Sequence, residues 1–348
     1  MLYSINWKDE LNHAFAWKRS IPQNDKNRID YIDLAKGLCI LLVVFHHVAL
    51  IDHDLDYPLK NTLKMFRMPL YFLLSGLFFK QYEGFFGFLK RKINKLLIPY
   101  IAFFIITWIS PFTNSAIWFL LCLFIVNIFF YLTFEVASVV ENRINGKAGE
   151  TIKVAIITFI CIVLGCVGFY LCRHNIIIKP FVTTAFVALP FFGIGFIMRK
   201  YTDILNNSKF DKFVFLAAIP LFVIAWLCSG YVNYRLGVFN VNIISLYIGG
   251  FAGIMAILFV AKTLRRLPIL SYCGRYSIII LVTHIFLLKV CEKKAINLMM
   301  GCGLSEIFAV IVLSLIVMLA YTFIIPVIKT YMPHITAQKD IIPINKNQ

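Results

Sequence analysis

Apolar stretches long enough to cross a lipid bilayer recur along almost the whole chain, and they limit its fold more than any other feature. Of its 348 residues, 60% are hydrophobic and only 15% are charged. Soluble domains carry about 25% charged residues. The apolar stretches are continuous, and a helix in lipid satisfies its own backbone hydrogen bonds. The sequence therefore predicts an all-α, polytopic integral membrane protein.

The apolar stretches predict about ten transmembrane helices. We place them at 31–51, 62–80, 96–112, 115–140, 152–172, 178–198, 213–232, 240–260, 269–290 and 304–328. An N-terminal segment, 1–30, precedes a transmembrane bundle at 31–330. A C-terminal tail, 331–348, follows the bundle, and its mixed polarity predicts that it is loosely held.

The distribution of Lys and Arg predicts the orientation of the bundle, because short cytoplasmic loops are enriched in these residues. With ten spans and a cytoplasmic N-terminus, 23 of the 34 Lys and Arg residues face the cytoplasm and seven face the other side. We therefore expect both termini in the cytoplasm. The same distribution accounts for the formal charge of +17 without a nucleic-acid partner. Basic residues at the inner face also suit anionic membrane lipids.

The first predicted span, RIDYIDLAKGLCILLVVFHH, carries Lys36 and His47 eleven residues apart. Eleven helical residues return to nearly the same face and extend about 16 Å. Ionisable groups within a membrane are costly and usually face a cavity or a partner. Lys36 and His47 are therefore candidate site residues, and a structural explanation stays open for each. Lys36 could extend to the inner interface, and His47 could hydrogen-bond a neighbouring helix. His46 lies about 100° round the helix, and we expect its substitution to be tolerated far better.

Two further ionisable residues lie inside predicted spans. Arg67 enters KMFRMPLYFLLSGLFF from the outer side, and His284 lies within SYCGRYSIIILVTHIF. We expect both at the level of His47 or further out, where they are candidates for binding an acceptor molecule. A structural explanation stays open for each, since either residue could bridge helices. Gly76, in the same span as Arg67, is better explained by close helix packing.

A basic segment, LKRKINKLLIPY, leads into the third predicted span. Arg91, Lys92 and Lys95 fit the positive-inside rule and binding to anionic lipids. The same residues could also dock a phosphorylated cofactor. The two interpretations are compatible, and the sequence does not separate them.

The segment HHVALIDHDLD contains residue types that bind zinc. However, these residues lack a regular ligand spacing on one helix, and the segment crosses a helix end. We therefore predict no metal site.

At these residues the chain resembles the acyltransferase-3 family of bacterial membrane O-acyltransferases, especially its fucose 4-O-acetylase-like branch. The matching stretches are IDYIDLAKGLCILLVVFHH, FRMPLYFLLSG, RKINKLLIPY, IWFLLCLFIVN and YCGRYSIIILVTH. The resemblance implies that His47 is the catalytic residue and that Lys36 is the basic residue of the first-helix pattern. Arg67 departs from the family pattern, which has His before the Met-Pro of the second span.

The resemblance implies an enzyme of the bacterial cytoplasmic membrane that moves an acetyl group from cytoplasmic acetyl-CoA to a carbohydrate hydroxyl. Lys36, Arg91, Lys92 and Lys95 would then bind the donor. His47 would act as a general base or as an acyl carrier, and both routes stay open. The alternative function is export or transport of a surface polysaccharide or a small acid. Transporters commonly show inverted repeats with paired broken helices, and the sequence shows no such pairing.

Overall fold

A computed structural model describes residues 5–17, 29–48, 57–110, 115–144, 146–199 and 211–344, and most of them are helical. The helices are α1 (Trp7–Phe15), α2 (Asp30–Val48), α3 (Tyr57–Leu77), α4 (Gly84–Lys92), α5 (Ile98–Ile109), α6 (Trp118–Ile144), α7 (Gly146–Arg173), α8 (Val182–Met198), α9 (Asp211–Leu227), α10 (Ile243–Leu264), α11 (Pro268–Arg275), α12 (Ser277–Gly301) and α13 (Glu306–Tyr331). A π-helical turn, Ile93–Leu97, joins α4 to α5, and a 3₁₀ turn, Ser115–Ile117, precedes α6.

The described helices confirm a polytopic, all-α membrane protein. Six of them are long and apolar enough to cross a membrane, counting α4 and α5 as one, and the bent pair α11–α12 would make a seventh. Two shorter apolar helices, α8 and Phe213–Leu227 within α9, add to the bundle. Each of the ten predicted spans overlaps a helix or a helix pair. The count of ten crossings stays a prediction.

Helices α2 and α11 approach each other so closely that their backbones are in contact. A Cβ atom on Gly37 would collide with the carbonyl oxygen of Leu270, and one on Gly274 would collide with that of Asp33. Beyond this contact, α11 is bent by 98° from the next helix segment, Ser277–Val290. The predicted span at 269–290 is therefore broken into two helices.

A second close approach joins α3 to α8. A Cβ atom on Gly76 would meet the carbonyl oxygen of Phe192, and one on Gly195 would meet that of Leu73. The prediction that Gly76 serves close helix packing is confirmed. This contact fixes α3, which carries Arg67, within the bundle.

Both ends of the described chain pack against the bundle. Glu10 of α1 forms an ion pair with Lys329 and accepts a hydrogen bond from the Tyr272 hydroxyl at 3.0 Å. Beyond α13, the backbone N–H groups of Ile341 and Ile342 donate to Asn94 Oδ1 at 3.1 and 3.0 Å. The expectation of a loosely held tail is therefore wrong for its described part, because the buried Asn94 amide pairs with its backbone.

A short hairpin between α9 and α10 was not predicted from the sequence. Its strands, β1 (Val232–Asn233) and β2 (Val238–Phe239), pair in antiparallel fashion. Gly237 provides the left-handed conformation, at φ +67°, that this turn requires. The Tyr234 carbonyl accepts a hydrogen bond from Thr184 Oγ1 at 2.9 Å, which ties the hairpin to α8.

Candidate functional site

Two histidines from distant parts of the chain meet inside the bundle. The imidazole rings of His47, on α2, and His284, on α12, lie 5.0 Å apart between centroids, with 55° between their planes. His284 Nδ1 lies 2.8 Å from the Ile280 carbonyl oxygen. Because a carbonyl can only accept, Nδ1 carries the proton and Nε2 keeps a lone pair. His284 Nε2 is buried and has no hydrogen-bond partner among the described residues.

A cavity of about 230 Å³ opens in front of His47. It is lined from α2, α3, the start of α6 and the hairpin. Its lining residues are His46, His47, Lys64, Arg67, Met68, Trp118, Tyr231, Val232, Asn233, Tyr234 and Arg235. A small molecule that enters this cavity can therefore reach His47 while contacting several polar side chains.

Arg67, in the middle of α3, lines the same cavity as His47, which agrees with its predicted level in the bundle. It shares this lining with both His46 and His47. Arg67 Nε and Nη1 are buried, and neither has a hydrogen-bond partner among the described residues. A buried guanidinium with unpaired donors is costly unless it binds an acceptor group.

Two hydrogen bonds hold α3 against α2 along the stretch from Lys36 to His47. Cys39 Sγ donates to the Arg67 carbonyl oxygen at 2.8 Å, and the Tyr71 hydroxyl donates to the Lys36 carbonyl oxygen at 3.2 Å. These bonds fix the register of the two helices. They therefore also fix the position of Arg67 relative to His47.

His46 also lies at the site, although it is about 100° round the helix from His47. His46 is buried and lines the cavity beside His47, and the two rings lie 5.4 Å apart between centroids. The 100° step round the helix does not move His46 out of the site. The reason is that α3, the start of α6 and the hairpin line the cavity around both histidines.

His284 lies behind His47 and does not line the cavity. Its side chain is completely buried, at 0% exposure. The predicted level in the bundle agrees with the structure, because His284 contacts His47. Direct contact with an acceptor molecule does not fit this geometry, and a role in positioning His47 does.

The residues predicted to bind the donor lie towards the other end of α2 and on α4 and the π-helical turn. Lys36 Nζ lies 5.0 Å from the ring centroid of Phe78, just beyond α3. Arg91 stacks on Tyr82, with 4.2 Å from Cζ to the ring centroid. Lys92 Nζ lies 5.3 Å from the Phe88 ring centroid.

Lys95 differs from the other predicted donor residues because it contacts the C-terminal tail. Its Nζ donates to the Ala337 carbonyl oxygen at 2.8 Å and lies 3.5 Å from Asp340 Oδ1. These contacts give Lys95 a structural function in the fold. Its predicted role in donor binding stays a prediction.

A second polar cavity, of about 330 Å³, lies at the N-terminal end of α2 beneath α1. Asp33, Arg266, Arg275, Tyr276 and Lys329 are among its lining residues. Asp33 precedes His47 by fourteen residues on the same helix, which corresponds to about 21 Å. The two cavities are therefore at opposite ends of α2.

Sequence reasoning missed several residues of the cavity in front of His47. Lys64 and Trp118 lie in predicted spans but were not assigned to the site. Tyr234 and Arg235 belong to the hairpin, which lies between the predicted spans 213–232 and 240–260. The signal in the sequence was the single basic residue of that loop, Arg235, next to three aromatic or amide side chains.

The described residues contain no group of three or more His, Cys, Asp or Glu side chains arranged to hold a metal ion. His46 and His47 are described, whereas Asp52, His53 and Asp54 lie outside the described residues. The absence of a metal site therefore stays a prediction.

The fold and the site define a multi-pass membrane protein that holds ionisable side chains inside its helix bundle. Within that class, the chain belongs to the acyltransferase-3 family. It matches the family model described as "Acyltransferase domain" over residues 29–113 and 105–328. The predicted family is confirmed, and the chain is a membrane acyltransferase. No curated protein and no solved structure gives a significant match.

Proposed function

We propose that this acyltransferase moves an acyl group, most simply acetyl, from cytoplasmic acyl-CoA to a hydroxyl of a cell-envelope carbohydrate. The observation that carries the proposal is the position of His47, which lies at a cavity on one side and against His284 on the other. We further propose that the protein works in the bacterial cytoplasmic membrane. The cavity in front of His47 then receives the carbohydrate from the outer side.

The donor approaches His47 from the opposite end of α2. Lys36 and His47 lie about 16 Å apart along one helix, a length comparable to the pantetheine arm of CoA. The thioester can therefore reach His47 while the nucleotide stays near Lys36, Arg91 and Lys92. The polar cavity beneath α1 lies at this same end of α2 and offers additional space for the nucleotide.

In the direct route, His47 acts as a general base. It accepts the proton of the attacking hydroxyl while the hydroxyl oxygen forms a bond to the thioester carbonyl carbon. The bond from that carbon to sulfur then breaks, and the CoA thiolate takes the proton back from His47. In the covalent route, His47 attacks the thioester carbonyl carbon, the carbon–sulfur bond breaks and the CoA thiolate leaves. The acceptor hydroxyl then attacks the acyl carbon, the bond to His47 breaks, and the hydroxyl proton goes to the thiolate. His284 holds the His47 ring in place in both routes.

The two routes differ in one measurable intermediate. Rapid mixing of purified protein with acyl-labelled acetyl-CoA, without acceptor, should label His47 only in the covalent route. The proposal itself is tested by reconstituting the protein in liposomes with acetyl-CoA added on one side. Acetyl-CoA-dependent ester formation on an envelope glycan supports it. Unchanged O-acetyl content of the host glycan after deletion of the protein contradicts it.

A further inference from the structure

We propose that the carbohydrate acceptor bears a negatively charged group, a carboxylate or a phosphate, close to the hydroxyl that is acylated. This inference rests on the proposed function, in which the cavity in front of His47 receives the acceptor. It adds the chemical class of that acceptor. The charge of the cavity lining and the unpaired donors of Arg67 support it.

Three permanently or normally cationic side chains line the cavity: Lys64, Arg67 and Arg235. Within the described part of the chain, the lining contains no Asp or Glu. Like charges repel, and their repulsion is strong where water is partly excluded. A negatively charged ligand would therefore relieve both the repulsion and the desolvation of these groups.

Arg67 gives the clearest indication of an anion. Its Nε and Nη1 are buried and have no hydrogen-bond partner in the described chain. A guanidinium presents its donors in a planar fork that matches the two oxygens of a carboxylate or phosphate. A neutral hydroxyl can satisfy one such donor but leaves the charge uncompensated. The orphaned donors therefore point to an anionic partner.

The other two cations occupy different depths of the same cavity. Lys64 is half-buried, and its Nζ lies 5.1 Å from the ring centroid of Tyr231. Arg235 is exposed on the hairpin turn. The series from Arg235 through Lys64 to Arg67 can attract an anionic ligand at the cavity mouth and hold it near His47.

Aromatic side chains in the lining fit a sugar attached to that anion. Trp118 and Tyr231 both line the cavity, and aromatic rings offer apolar faces to the C–H groups of a sugar ring. The combination of aromatic faces and cations suits a sugar acid or a sugar phosphate. It is less suited to an uncharged glycan, since the cations would then stay unpaired.

The test compares charged and neutral sugars of matched shape in binding to the purified full-length protein in detergent. Methyl glucuronide is paired with methyl glucoside, and glucose 6-phosphate is paired with glucose. Because a charge-assisted hydrogen bond is about twice as strong as a neutral one, the anion should bind about tenfold more tightly or better than its neutral partner, a difference of about 1.4 kcal/mol. The ratio of the two affinities is compared between the pairs. A larger ratio for the glucuronide pair indicates a carboxylate, and a larger ratio for the phosphate pair indicates a phosphate.

Variants assign any anion binding to this cavity. In Arg67→Gln the preference for the anion should be lost, and in Arg235→Gln it should fall. Arg235 is exposed, so its variant remains informative if Arg67→Gln does not fold. Lys179→Gln is the matched control, because Lys179 is an exposed cation on the predicted outer side that does not line the cavity.

Equal binding of charged and neutral sugars, or no binding of either anion in the millimolar range, would overturn the inference. Hydrolysis of acetyl-CoA in the absence of acceptor is the second readout for Arg67→Gln. If this hydrolysis falls by the same factor as transfer to the sugar, the inference is overturned, since Arg67 would then act on the thioester. Anion binding without acyl transfer to any sugar contradicts the proposed function only. Efficient transfer to neutral sugars contradicts the inference and leaves the proposed function in place.

Discussion

The rings of His47 and His284 lie 5.0 Å apart inside the bundle, and they come from helices near opposite ends of the chain. The proton on His284 Nδ1 is committed to the Ile280 carbonyl of its own helix. Only Nε2, with its lone pair, remains to interact with a neighbour. His284 can therefore accept a hydrogen bond from His47 and orient its ring.

We expect His284→Ala to lower kcat by between about tenfold and 10²-fold, because misplacing a catalytic group costs a rate factor of this order. The KM values for donor and acceptor should change little, since His284 does not line the cavity. Steady-state kinetics of acetyl transfer in liposomes give both quantities. A raised acceptor KM with unchanged kcat would contradict the positioning role.

Thr283→Val is the matched control for that variant. Thr283 lies beside His284 and has a hydroxyl contact with Tyr321 at 2.8 Å. Its substitution removes a buried hydrogen bond at the same depth as His284. The free energy of unfolding should therefore fall by about 1 kcal/mol. The kcat should stay near wild type. A similar loss of kcat in both variants would show that the effect is only structural.

We expect His47→Gln to reduce acyl transfer by a factor on the order of 10² to 10⁴, the usual contribution of a general base. The protein should still insert and be extracted as a single species, because His47 is only half-buried. The rate of acyl transfer is measured as labelled acetyl transferred to glycan, per amount of purified protein. Activity within a few-fold of wild type would exclude His47 as base and as acyl carrier.

His46→Gln provides the comparison at the adjacent position. Because His46 lines the cavity, we now expect a raised acceptor KM, in place of the tolerance that helical geometry alone suggested. The kcat at saturating acceptor should remain well above that of His47→Gln. If His46→Gln is the less active variant, the assignment of the base moves to His46.

The first helix and its neighbours were largely predictable because helical periodicity fixes which residues share a face. Lys36 and His47 lie on one uninterrupted helix, and Arg67 enters the same level from α3. The close packing of Gly76 also followed from its small size. Each of these inferences depends only on the sequence of one helix and on the depth of its residues in the membrane.

The features of the site that could not be predicted from the sequence depend on contacts between distant segments of the chain. The hairpin carrying Tyr234 and Arg235 covers the cavity through contacts with α3 and α8, which no local pattern encodes. His46 lies inside the cavity for the same reason, because α3 and the hairpin line it from distant parts of the chain. The bend at Tyr276 and the contact between Gly37 and α11 were missed as well, since a hydropathy pattern does not report where a helix bends or where two backbones touch.

We expect Lys36→Met to weaken binding of acetyl-CoA, whereas Lys36→Arg should retain partial function because the charge is kept. The reason is the position of Lys36 on the His47 helix, about 16 Å towards the predicted cytoplasmic end. The KM for acetyl-CoA and the binding of CoA itself are the measurements. Unchanged donor affinity in Lys36→Met would leave Lys36 only as an anchor at the membrane interface.

Lys95→Met separates donor binding from the structural contacts of Lys95 with the tail. Because Lys95 is about half-exposed and bonds Ala337 and Asp340, the variant should lose stability of about 1 kcal/mol or less. As a predicted donor-binding residue, Lys95 should also show a raised KM for acetyl-CoA when it is replaced by Met. Asp340→Asn is the control and should show the small loss of stability alone. An unchanged donor KM in Lys95→Met would leave Lys95 only its contacts with the tail.

Gly274→Ala tests the backbone contact between α2 and α11 that sets the depth of the whole site. The added methyl group would meet the carbonyl oxygen of Asp33, which belongs to a helix backbone and cannot rotate away. We expect a loss of about 1–3 kcal/mol in stability, the usual cost of overpacking. Gly301→Ala is the control, since a Cβ there meets no atom within 4 Å. Thermal unfolding in detergent should show a lower midpoint for Gly274→Ala alone. Equal midpoints for the two variants would mean that α2 and α11 are further apart than described, and that the depth of His47 is not fixed by this contact.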